Sequence, residues 1–239
     1  MKKALLIVAA LYAIVLMIVC GMPCTKADAS GEGLRLADPL EGIWKPADVP
    51  QASFMYRFPQ FEADDERAAL INQHYQTYAI NGLEGVLPDS LAYVDYEMIS
   101  ENERYLSVLL RFQSEGGMGL SETIHADTFA LDGIYAGQKI TLSQLLGMEE
   151  IAQAHLSETV SHLIWQIVER DSMNAEGDYP EGITIDDVNA AVNPQQDFYL
   201  DQDGNVVFYI QSGELAGEIA GILTFPFAPS ELMGALAAK

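Results

Sequence analysis

From Ser53 onward the apolar positions alternate between the two-residue period of strands and the 3.6-residue period of helices. Ser53 to Phe58 suits a short strand stopped by Pro59. Asp64, Asp65 and Glu66 fit a first helical turn, where free N–H groups favour negative charge. Ala68, Ile71, Tyr75 and Tyr78 then give one apolar face, ended by Gly82, Gly85 and Pro88. Leu91 to Ile99 is a mixed strand. Tyr105 to Gln113 alternates cleanly, with Leu106, Val108, Leu110 and Phe112 on one face. After the turn Gly116-Gly117-Met118-Gly119, Glu122 to Leu131 returns antiparallel. Met148 to Arg170 carries the longest helical pattern, with Leu156, Val160, Leu163, Ile164, Ile167 and Val168 as its buried stripe. Beyond the polar stretch Asp171 to Gly182, strands are expected at Asp197 to Leu200, Val206 to Ile210 and Ile219 to Phe227. Ser230 is expected to cap a terminal helix from Glu231. Strands and helices interleave without regular βαβ alternation. The pattern predicts an α+β fold, a mostly antiparallel sheet packed against one long helix and one or two shorter ones.

Ahead of this region, Lys2 and Lys3 precede seventeen uncharged residues, Ala4 to Cys20, and Ala27-Asp28-Ala29 offers small side chains for a signal peptidase. Residues 1–29 are therefore expected to be a signal peptide, or an N-terminal anchor if uncleaved. Residues 30–50, rich in Gly and Pro, read as a linker. The folded domain is expected over 51–239, with an N-terminal part 51–100 and a C-terminal part 101–239. Both cysteines, Cys20 and Cys24, fall in the export segment. After cleavage the chain has no thiol for a disulfide, a nucleophile or a metal.

Charge then narrows the partners. The 239 residues hold 12 Lys+Arg and 35 Asp+Glu, a net −23. Removing 1–29 takes away three lysines and one aspartate and leaves −25. Without a Lys/Arg cluster to replace phosphate counterions, nucleic acid is excluded as a partner. Such a surface attracts cations and basic proteins.

Candidate chemistry is sparse. Glu158 and His162 stand at i, i+4 on the polar face of the long helix and are the weak candidates for a metal. His155 is two turns from His162, too far along the axis for a zinc pair. Asp201-Gln202-Asp203-Gly204 resembles the start of a calcium loop, but its Gly is fourth instead of sixth, and a hairpin turn fits better. Gly116, Gly117, Met118 and Gly119 are weak binding candidates; no Lys-Ser/Thr follows them as a phosphate loop requires. No G-x-S-x-G, S-x-x-K or H-E-x-x-H occurs. His125 falls on a strand and His74 on a helix, so a dispersed triad stays open. No catalytic residue and no cofactor is expected.

Several segments together resemble a known family. They are Tyr-Arg-Phe-Pro-Gln-Phe at 56–61, the strand from Tyr105 into the Gly-Gly turn, and Ala136-Gly137-Gln138-Lys139-Ile140-Thr141-Leu142. Phe198-Tyr199-Leu200 with Asp203-Gly204, and Ala220-Gly221 with Phe225-Pro226-Phe227, complete the set. In order and spacing they resemble the RsiV-type ectodomain, found in lysozyme-sensing anti-sigma factors and as an accessory region of a peptidoglycan deacetylase. The resemblance implies an exported α+β domain that, in the sensing members, binds lysozyme. Family members carry Gly-Gly-Ala-His at the turn, so any role of that histidine is absent here. With only Met1, Lys2 and Lys3 before the apolar run, neither a sigma-binding segment nor a deacetylase domain is expected. The expectation is a non-catalytic envelope binding or sensing domain, secreted or anchored at the outer face of the cytoplasmic membrane. Its candidate partner is a basic protein such as a lysozyme, a cationic peptide or a wall component. An envelope hydrolase acting on glycan or peptide is the alternative.

Overall fold

The computed structural model describes residues 33–45, 53–79, 91–116, 119–174, 179–180 and 182–238. The expected export segment 1–29, and Gly117 and Met118 of the glycine turn, lie outside them. The architecture is the α+β one expected, but with two sheets. A five-stranded sheet runs β1 (Leu40–Trp44), β2 (Ser53–Phe58), β3 (Leu91–Glu101), β4 (Tyr105–Gly116), β5 (Gly119–Ala130) in that spatial order. A three-stranded sheet holds β6 (Phe198–Leu200), β7 (Val206–Ile210) and β8 (Leu223–Phe227). All neighbours are antiparallel except β2 and β3, which are parallel because α1 (Glu66–Thr77) lies between them in the chain.

Two apolar cores follow from the two periods. Leu106, Val108 and Leu110 of β4 and Phe129 of β5 meet Ala68, Ile71 and Tyr75 of α1. The second core lies between the three-stranded sheet and α3 (Gln153–Met173), whose Leu156, Val160, Ile164 and Val168 recur every four residues and are buried. At about 1.5–3 kcal/mol for each fully buried aliphatic side chain, this stripe is what holds α3 in place. The short α2 (Leu142–Leu145) and α4 (Ile185–Ala191) each start on a reciprocal capping box, Thr141/Gln144 and Thr184/Asp187. A seam of Leu109, Ile124, Ala126 and Tyr209 joins the sheets on the side away from α1.

Several expectations are corrected in detail. Residues 40–44, inside the stretch read as a linker, form β1 and pair with β2 from Leu40↔Phe58 to Trp44↔Phe54. Leu40 and Trp44 pack on the α1 core, so a five-residue alternation lay hidden among prolines and glycines. α3 begins at Gln153 because residues 148–151 close a turn, Ile151 N–H donating to Met148 O at 3.0 Å. The last strand is shortened to β8, since Glu218–Ala220 form a 3-10 turn. The terminal helix α5 (Pro229–Ala237) starts earlier than expected, after Ala228, with Pro229 in its first turn and no side-chain cap. The 201–205 segment is a hairpin turn: Gly204 has φ 81°, and the Asp201 carboxylate accepts from the Asp203 and Asn205 N–H groups.

Candidate functional site

Ionisable side chains converge under α1, at the free margin of the five-stranded sheet. On β5, His125 and Asp127 are two residues apart and so share one face with Phe129. α1 crosses that face. Its start is fixed by Asp65, which caps Arg67 N–H at 2.7 Å. Its rotation is fixed by Asn72, whose side chain both accepts from Phe61 N–H and donates to Phe61 O, each at 2.8 Å. This setting turns His74, Tyr75 and Tyr78 toward β5.

The fourth member arrives from the chain after β5. Residues 137–140 lie along the β5 margin, Gly137 N–H donating to Ala130 O at 2.8 Å and Ile140 N–H to Thr128 O at 2.9 Å. Gly137 sits at φ 79°, and a Cβ there would lie 2.9 Å from the Arg67 Cα and 3.0 Å from Leu70. Only glycine lets α1 approach so closely. Two residues on, Lys139 points in toward Asp127.

Asp127 is the centre of the cluster and its side chain has no exposure. Lys139 Nζ stands 2.6 Å from Oδ1, His74 Nε2 3.3 Å from Oδ2, and His125 Nε2 3.3 Å from Oδ1. Lys139 Nζ is also 3.0 Å from His125 Nε2. Burial alone would push the Asp127 carboxyl up; the contacts with His125 and His74 and the Lys139 ammonium outweigh it and hold the group well below the usual range. An ionised carboxylate only accepts, so His74 donates through Nε2. An ammonium only donates, so a neutral His125 accepts from Lys139 through Nε2 and donates to Asp127 only once protonated. The nearby phenols are affected by the same centre. Burial, and then the Asp127 charge, push Tyr75 well up and Tyr78 to about 12. Tyr78 stacks on His125 with ring centres 6.0 Å apart.

Above the cluster lies a groove of about 480 Å³. Leu70, Gln73, His74, Thr77 and Tyr78, a second stripe of α1, form one wall, and Gly137, Gln138 and Lys139 form the other. Asp127 and His74 form a carboxylate–imidazole pair of the kind a nucleophilic triad contains, but joined through Nε2, where a triad carboxylate holds Nδ1. Among the described residues no hydroxyl is hydrogen-bonded to His74. A second cavity, about 280 Å³, lies between α3 and β8 beside Tyr179.

The candidates singled out from sequence lie elsewhere. Glu158 and His162 are exposed on α3; His162 Nε2 accepts from the Gln166 amide at 3.1 Å and stacks on Trp165. His155 Nε2 donates to Leu236 O at 3.2 Å, a contact between α3 and α5. Gly116 pairs with Gly119 at the end of the β4–β5 ladder. Among the described residues no group of three or more His, Cys, Asp or Glu is placed to hold a metal. His74 and His125, left open as parts of a dispersed triad, do come together. Asp127 and Lys139 were missed. The signals available were the i, i+2 spacing of His125 and Asp127 on a strand, and Lys139 being the one lysine between Lys45 and Lys239.

No protein-family model matches the chain, and no curated protein does. Solved structures of similar fold exist. A DUF3298 family member from Bacteroides fragilis is 12% identical, with a TM-score of 0.54 over 87% of this chain and 100% of its own. A DUF3298 family protein from Pseudomonas aeruginosa is 13% identical, with a TM-score of 0.50 over 86% and 97%. At these identities the likeness is one of fold: this chain has an α+β architecture similar to that of a domain of unknown function from two bacteria.

Proposed function

We propose that this chain is an exported, non-catalytic binding or sensing domain of the cell envelope, and that it takes a cationic partner: a basic protein such as a lysozyme, a basic peptide or a cationic wall component. The observation that carries the reading is the distribution of charge. All six described arginines and Lys139 are already ion-paired with carboxylates. With 35 acids against 12 bases, the remaining carboxylates are left to set the field outside the protein. The sequence resemblance to RsiV-type ectodomains supports a binding module, and the fold likeness to DUF3298 proteins supports the α+β architecture alone. Titration of the purified chain against a lysozyme at low and high salt tests it. The reading expects saturable binding at low salt that weakens steeply as salt rises. No binding at low salt would remove the cationic partner.

The hydrolase reading is favoured by one feature, the His74–Asp127 pair beside the groove. Against it stands the rest of the constellation: among the described residues no hydroxyl is hydrogen-bonded to His74, and Asp127, buried and ion-paired, orients the imidazole without supplying a nucleophile.

A further inference from the structure

The groove between α1 and the Gly137–Lys139 segment has a definite hydrogen-bonding character that the acidic exterior does not explain. Its fixed point is His74. Because Asp127 takes the Nε2 proton, a neutral His74 carries its lone pair on Nδ1, so the tautomer is set from beneath by a carboxylate with no exposure. Tyr78 remains a protonated donor at neutral pH, its hydroxyl pushed to about 12. Gln73, Gln138 and Thr77 add two amides and a hydroxyl, groups that both donate and accept. Lys139, the cation on this wall, is neutralised by Asp127 at 2.6 Å. The walls therefore offer matched donors and acceptors without an uncompensated charge. An anionic ligand would find no free cation on these walls and would approach a chain of net charge −23. A wholly apolar ligand would strand the amides and hydroxyls. The groove, about 480 Å³, is wide open to solvent, so a ligand would lie along it without being enclosed.

We propose that this groove binds an uncharged, hydroxyl-rich ligand, a glycan unit of sugar-ring dimensions, with His74 Nδ1 accepting from a ligand hydroxyl and the Gln73, Gln138 and Thr77 side chains completing its hydrogen bonds. The site stands apart from the acidic-face reading, and either can fail without the other. Binding here is insensitive to salt, because no net charge is exchanged.

The test is an NMR titration of the full chain, with labelled histidine and amide groups, using chitotriose and maltotriose as neutral probes and citrate as the anionic one. Expected is saturable movement of the His74 imidazole nitrogen signals with at least one neutral sugar, unchanged at high salt. Gln138→Ala and Thr77→Ala, both at exposed positions that leave the buried cluster intact, should each weaken that binding by about tenfold. Saturation with neither sugar overturns the proposal. So does tighter binding of citrate that salt abolishes, or sugar binding that both variants leave unchanged. Because salt is expected to weaken lysozyme binding steeply and to spare sugar binding, the two readings are separated by one variable.

Discussion

At the scale of single residues, Asp127 decides how the region under α1 behaves. Its carboxyl is depressed in the folded chain, so the unfolded chain binds the extra proton as pH falls. Stability from this group is complete above the unfolded carboxyl value, about 3.9, and is lost as pH drops toward the lower folded value. Chemical denaturation across that acid window should show a slope that Asp127→Asn flattens; an identical slope in the variant would show that the cluster does not contribute it. Lys139→Met leaves the buried carboxylate without its closest counter-charge and should cost about 3–5 kcal/mol by urea unfolding. Gly137→Ala combines positive φ with a backbone contact at Arg67 and should cost about 1–3 kcal/mol; an unchanged midpoint would mean that α1 can retreat without loss. None of these effects was visible in residue order alone. His125 and Asp127 are near in sequence, but His74 and Lys139 reach them only because α1 and the 137–140 segment are folded onto β5.

Legibility was greatest among the elements, where one period persisted. The β4 alternation gave Leu106, Val108 and Leu110 as a buried face, and they are the floor beneath α1. Of the α3 stripe read from the sequence, Leu156, Val160, Ile164 and Val168 are the buried line, while Leu163 and Ile167 flank it half-buried. Ile164→Ala, at the middle of that line, should cost about 2–5 kcal/mol, measured by thermal or urea unfolding of the full chain. A loss well below this would mean that α3 is held by its polar ties, such as Ser161 to Asn189 at 3.1 Å, more than by its stripe. β1 was missed because five alternating residues among prolines and glycines carry too little periodic signal to be told from a loop. The division into two sheets was equally hidden. Ser107 is an outward-facing polar residue by pattern, yet its hydroxyl is buried and accepts from Leu200 N–H at 3.0 Å, a tie between sheets that no local period encodes.

Taken whole, the molecule separates its ionisable groups into two populations. One is small and inward: a carboxylate, an ammonium and two imidazoles balanced against one another beneath α1. The other is large and outward, a surplus of acids over bases that is plain from composition alone. In the proposed readings, binding draws on the second population, on the neutral groove groups and on Nδ1 of His74, while the rest of the first population orients and stabilises. The account thus rests on a division between holding a ligand and changing it. Mass spectrometry of neutral oligosaccharides and peptidoglycan fragments incubated with the full chain tests that division directly. The account predicts fragments of unaltered mass, with the wild-type chain and His74→Gln indistinguishable. Cleaved or deacylated products that accumulate with the wild type and vanish with His74→Gln would contradict it.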